Sequence, residues 1–167
     1  MAQVKMPAVI RQGLLAGVAG GLAEVASVSL YAAVNGGDAA LLARGVTTAA
    51  GVDALLPAAP ATVGVAVHMA LAVALGIAAM AAWRTWSRAF AVSNPFPFFM
   101  AALAGVWAFN FFVVLPVVSP AFIGLVPYGV SLASKLLFGA AAAEVVRRQT
   151  RAQAVENLAP VRIRYRR

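Results

Sequence analysis

Four polar side chains stand inside otherwise apolar runs of this chain: Glu24, His68, Asn110 and Lys135. A carboxylate, an imidazole, an amide and an ammonium set among alanine, valine and leucine suit ion pairing, proton exchange or the gripping of a polar solute. Each costs free energy in hydrocarbon unless it finds a partner. Glu24 falls about 11 residues into its apolar run, hence about 16 Å along a helix rising about 1.5 Å per residue. Lys135 falls about 9 residues from the far end of its own run, at a similar level. The spacing predicts a Glu24 and Lys135 pair, with Asn110 in the same layer and His68 a little above it. Such a pair can serve chemistry, or it can fix the register of neighbouring helices with the amide as additional glue. His68 is the single histidine and there is no cysteine, which excludes an intrachain bis-histidine haem, thiolate metal sites, disulfides and cysteine nucleophiles. No metal and no other cofactor is expected. A Ser, His and acid arrangement on one element and a phosphate-cradling loop are both lacking, so catalysis is not expected either.

The elements that must position these groups are membrane spans. The chain is 63% hydrophobic and 11% charged, against the roughly 25% charged residues of a soluble domain. An all-α integral membrane protein follows, with four transmembrane helices near 13–34, 61–83, 98–118 and 128–146, arranged as two helical hairpins. On the first, Gly13, Gly17, Gly20, Gly21, Glu24, Ser27 and Tyr31 share one side, with Leu14, Leu15 and Leu22 opposite. On the second, Gly64, His68, Ala72 and Gly76 recur every four residues; on the fourth, Ser131, Lys135 and Gly139 do so. Small-residue stripes of this kind let helices approach closely where no hydrophobic effect drives them together. Aligning Gly76 with Gly139 also superposes His68 on Ser131, a weak internal repeat.

The third span is aromatic, with Trp107 and Asn110 on one face and Pro116 expected to kink or end it. Between spans one and two, residues 35–60 are too interrupted by Gly and Pro to cross. An interfacial helical segment is expected there, capped by Asp38 and stopped at Gly45. The stretch RTWSR, 84–88, reads as a polar link, and SNPFP, 93–97, as a turn before the third span.

The net charge of +8 lies mostly outside the apolar runs. Lys5, Arg11, Arg84, Arg88, Arg147, Arg148 and Arg151 fall on one side and Arg44 on the other. By the positive-inside rule, residues 1–12 and the basic tail 147–167 are cytoplasmic, in a bacterial-type inner membrane. The N-terminus is similar to a signal-peptide n-region, but the following run is longer than an h-region and holds Glu24, so a retained first helix is expected. No interleaved aromatic and basic stripe points to nucleic acid. In the tail, Val161, Ile163 and Tyr165 alternate with Arg162, Arg164 and Arg166, and Arg167 follows. That period-two pattern suits a strand added to a partner's sheet, or a tail held by anionic lipid headgroups.

Small size, several small-residue faces and the tail lead to one functional expectation: a non-catalytic accessory subunit of a larger inner-membrane complex, energy-transducing in character, whose partners are other membrane-protein subunits and lipids. The alternative is a small oligomeric proton-coupled transporter working through Glu24 and Lys135, and a third class is a lipid- or quinone-binding scaffold. The chain resembles the small multidrug-resistance transporters in having four helices with a membrane-embedded Glu in the first. That likeness covers Glu24 alone, and Lys135 opposite it would compete with a cationic substrate.

Overall fold

A chain in hydrocarbon has no water to take up its N–H and C=O groups, so apolar runs of this length close their hydrogen bonds internally as helices. The computed structural model describes residues 6–164, with side chains described over 8–153. It contains α1 (Met6–Val34), α2 (Ala39–Ala49), α3 (Pro60–Ala89), α4 (Pro95–Phe109), a π-helical turn (Asn110–Val114), α5 (Leu115–Val118), α6 (Pro120–Ile123) and α7 (Tyr128–Arg164). No strand occurs among the described residues. Four helical stretches, Ala8–Val34, Pro60–Ala89, Pro95–Val118 and Tyr128–Gln153, are long and apolar enough to cross a bilayer. The protein is thus a multi-pass, all-helical membrane protein.

The long helices stand in the order α3, α1, α7, α4. Helix α1 packs along both α3 and α7, and α4 packs along α7. Missing side chains set the closest approaches. A Cβ on Gly17 would lie 2.6 Å from the Ala72 carbonyl oxygen, and one on Gly13 would lie 2.5 Å from Ile77 Cα. Gly76 meets the backbone of Gly13 and Gly17 from the other side. Gly20 faces α7 instead, where the ring of Phe138 occupies the space its side chain would need. The side shared by the α1 glycines is therefore divided between two neighbours.

Helices α3 and α4 meet sparsely among the described residues, and they do so near the turn that joins them, where Trp83 packs on Phe98 and Phe99. That end also carries Arg84, Arg88, Arg147 and Arg151 and is called the basic end below. The fully buried core lies in the basic half: Met80 and Trp83 of α3, Phe99 and Leu103 of α4, and Phe138, Ala142, Ala143 and Val146 of α7. Gln12 is 1% exposed, and its Oε1 accepts a hydrogen bond from Nη2 of Arg84. Gln12→Leu is expected to destabilise the protein by about 1 kcal/mol, because it strips a part-buried guanidinium of its acceptor. Thermal unfolding in mild detergent measures this, and no loss would mean that the contact contributes nothing net.

Several local expectations are corrected. Gly45 does not stop α2. Asp38 caps the helix, its Oδ1 accepting from Ala40 N at 2.8 Å, but the helix runs on to Ala49 and the left-handed turn falls at Gly51, with φ +67°. Gly45 is instead a contact point for Leu125 and Phe122. The RTWSR stretch is not a link but the last turn of α3, because it holds no Gly or Pro to break the helix. The turn comes at 90–94, where Asn94 Oδ1 caps α4 by accepting from Phe96 N at 3.1 Å. The third span runs two residues past Pro116, to Val118. That proline has no N–H to give and its ring crowds the carbonyl four residues back, and the helix widens into the π turn just before it. The backbone of 161–164 is helical rather than extended. Helix formers between Arg147 and Ala159 favour α7, and the backbone stays helical past Pro160 at the cost of one backbone hydrogen bond there. The side chains of Arg162 and Arg164, and all of Arg166 and Arg167, lie outside the described residues.

Candidate functional site

Glu24 lies one turn beyond Gly20 on α1, and Lys135 lies one turn before Phe138 on α7. Because Gly20 accepts the Phe138 ring, α7 comes close enough for Lys135 to reach across. Lys135 Nζ sits 2.8 Å from both Oε1 and Oε2 of Glu24, a bidentate ion pair, and 5.6 Å from the centroid of the Phe138 ring. Carboxylate, ammonium and ring face thus form one stack across the interface of α1 and α7. Opposite charges at this distance neutralise each other where the dielectric constant is low, which makes their joint burial tolerable.

His68 approaches from α3, with Nε2 3.8 Å from Glu24 Oε2. That distance is beyond hydrogen-bond range, and Nε2 is buried without a partner among the described residues. Asn110 stands at the start of the π turn on the opposite wall. Its side chain makes no hydrogen bond among the described residues, and it reaches neither Glu24 nor Lys135 directly. The amide and the imidazole are therefore brought to the same space as the ion pair without joining it.

That space is a cavity of about 560 Å³ in the half of the molecule away from the basic end. Where α3 and α4 diverge, α1 and α7 floor it with Glu24, Val28, Ser134 and Lys135. Helix α3 supplies Gly64, His68 and Leu71 to one wall, and α4 with the π turn supplies Val106, Asn110 and Val114 to the other. Helix α2 roofs it through Leu42 and Val46. The roof is pinned by Gly64, which sits directly beneath the Ala43 carbonyl, and by Thr47, fully buried, whose hydroxyl donates to the Pro60 carbonyl at 2.6 Å. The paired side chains keep some accessibility, 12% for Glu24 and 17% for Lys135, so the cavity reaches them. Ser131, also on the lining, accepts from Trp107 Nε1 at 3.0 Å and ties α4 to α7 at this level.

Among the described residues no group of three or more His, Cys, Asp or Glu side chains is placed to hold a metal ion. The arrangement can instead offer a neutral but strongly dipolar ion pair and two unoccupied hydrogen-bonding groups to something inside an apolar chamber. Sequence reasoning missed the chamber, the Gln12 and Arg84 contact, and the bond from Trp107 to Ser131. The sequence signal for the last of these is that Trp107 shares a helix face with Asn110. No match was found to a protein-family model, a curated protein or a solved structure.

Proposed function

We propose that the protein is a small, non-catalytic membrane carrier that takes up a mostly apolar small molecule with one hydrogen-bonding head group. The observation that carries this reading is the position of the Glu24 and Lys135 pair on the surface of a cavity of about 560 Å³ rather than in close packing. Ligand sites for small molecules have this size and this make-up, an apolar lining with a few convergent polar groups. Asn110 and His68 hold hydrogen-bonding capacity in reserve beside the pair. The head group would meet these two, with the ion pair as the polar floor and proton-linked partner.

In the same proposal the chain works as two helical hairpins in a bacterial-type inner membrane with both termini cytoplasmic. The clustering of Arg11, Arg84, Arg88, Arg147, Arg148 and Arg151 against the lone Arg44 supports that orientation. Helix α2 would then lie along the opposite interface as the roof of the site.

The test is the small-molecule content of the full-length protein released by mild detergent, read by untargeted mass spectrometry. A compound retained by the wild-type protein and lost from Val28→Trp, which fills the chamber, supports a ligand site. Equal content in the two proteins, with Val28→Trp still folded, overturns it. The accessory-subunit reading retains one specific observation. The divergence of α3 and α4 leaves Leu71, on the chamber lining, 63% exposed, where a partner's helix would fit. Stoichiometric co-purification with larger subunits would favour that reading over the carrier.

A further inference from the structure

A second pocket, of about 440 Å³, lies at the basic end between the turn joining α3 to α4 and the side of α7. Ser93 and Asn94 of the turn and Arg147, Thr150 and Arg151 of α7 line it, over the buried ring of Trp83. It shares no lining residue with the chamber around Glu24.

The charge balance favours an anion. Glu144 is the acidic group of this turn of α7, and its two oxygens already face two arginines. Arg147 Nη2 lies 2.6 Å from Oε2, and Arg148 Nε lies 2.7 Å from Oε1. Arg151 adds a further positive charge that Glu144 does not meet. The Arg147 guanidinium is held over the Phe96 ring, 5.7 Å from its centroid, and its Nε is buried without a partner among the described residues. A planar guanidinium fixed against an aromatic ring with a donor unused is suited to an oxyanion with several acceptor oxygens. The Ser93 hydroxyl and the Asn94 amide supply neutral groups on the facing wall, while the Thr150 hydroxyl on the α7 side already donates to the Val146 carbonyl. The depth agrees with this chemistry. Trp83 and Phe96 mark the end of the apolar spans, the level at which headgroups sit, and basic pockets between transmembrane helices there take phosphorylated headgroups.

We infer that this pocket binds one phosphate group, held by Arg147 and Arg151. The phosphate could be that of an anionic phospholipid or a free phosphate ion, and the two sources are separable. Full-length protein is placed in bilayers of phosphatidylcholine containing phosphatidylglycerol, and retained lipid is counted by native mass spectrometry. A parallel arm uses phosphatidylcholine alone with added inorganic phosphate, read by thermal unfolding. Retention of one phosphatidylglycerol by the wild type, weakened about thirtyfold in the double variant Arg147→Gln/Arg151→Gln, assigns the site to a headgroup. Stabilisation by inorganic phosphate alone, absent from the double variant, assigns it to the free ion. Arg88→Gln, at the same end but outside the pocket, is the control. Equal losses in Arg88→Gln and the double variant would reduce the effect to diffuse surface charge and overturn the inference. So would wild type and double variant behaving alike in both arms. Arg148 still pairs with Glu144 in the double variant, which protects the fold of α7.

Discussion

Glu24→Gln, with Lys135 left in place, is expected to lower the stability of the protein by about 3 kcal/mol, because it leaves a buried ammonium without its counter-ion. Loss of stability alone does not separate a structural pair from a working one. The double variant Glu24→Gln/Lys135→Gln does. An amide facing an amide can still make one hydrogen bond and buries no charge, so most of the lost stability should return; replacing both members of a buried pair is often near neutral. If the pair is the polar floor of a ligand site, the double variant should nevertheless retain none of the small molecule that the wild type carries. Recovery of both stability and ligand would reduce Glu24 and Lys135 to architecture. Thermal unfolding followed by Trp fluorescence and mass spectrometry of the extract give the two readouts on one preparation.

The second large effect is expected at the crossing of α1 and α3. In Gly76→Val the new side chain would coincide with the backbone of Gly13 and Gly17, and helix backbones cannot yield as a side-chain tip can. Overpacking in well-packed interiors costs about 1–3 kcal/mol, and with backbone on both sides the upper end, about 3 kcal/mol, is expected. Gly105→Ala and Gly129→Ala are the matched controls, since a Cβ on either meets nothing within 4 Å. Those two should be neutral or slightly stabilising, by up to about 1 kcal/mol from helix propensity. A drop in melting temperature at Gly76 no larger than at Gly105 would mean that the crossing tolerates separation and that close approach there is incidental.

How much of this was legible beforehand follows from what each feature depends on. The spans were readable because hydropathy over some twenty residues is a local sum, and α1, α3 and α7 all contain the stretches assigned to them. The levels of Glu24 and Lys135 came from counting along helices of fixed rise. In the structure their charged atoms lie 2.8 Å apart. Counting could not say that Gly20 and Phe138 create the approach, because that depends on which face of α7 meets α1. Ends of helices were read less well. Gly45 and RTWSR looked like boundaries through residue type alone, yet Gly45 is needed for contact with Phe122 and Leu125, and Arg84 is drawn into α3 to meet Gln12. The chamber was invisible because it results from the divergence of α3 and α4 away from the short turn that joins them, and a turn does not fix how far along their lengths its two helices stay in contact. A void is a property of what fails to touch.

The ion pair joins α1 to α7, across a separation of 111 residues. At typical elongation rates of about 5–20 residues per second, Lys135 leaves the ribosome roughly ten seconds after Glu24. During membrane insertion α1 therefore enters with an uncompensated carboxylate, which raises its insertion free energy by about 3 kcal/mol, against the favourable transfer of its leucines and valines. Helix α7 completes the electrostatics of α1, so this contact closes only after all four spans have been made. A chain interrupted before Lys135 would leave that carboxylate among lipid tails without its counter-ion, so the stability of α1 in the membrane depends on a residue of the fourth span.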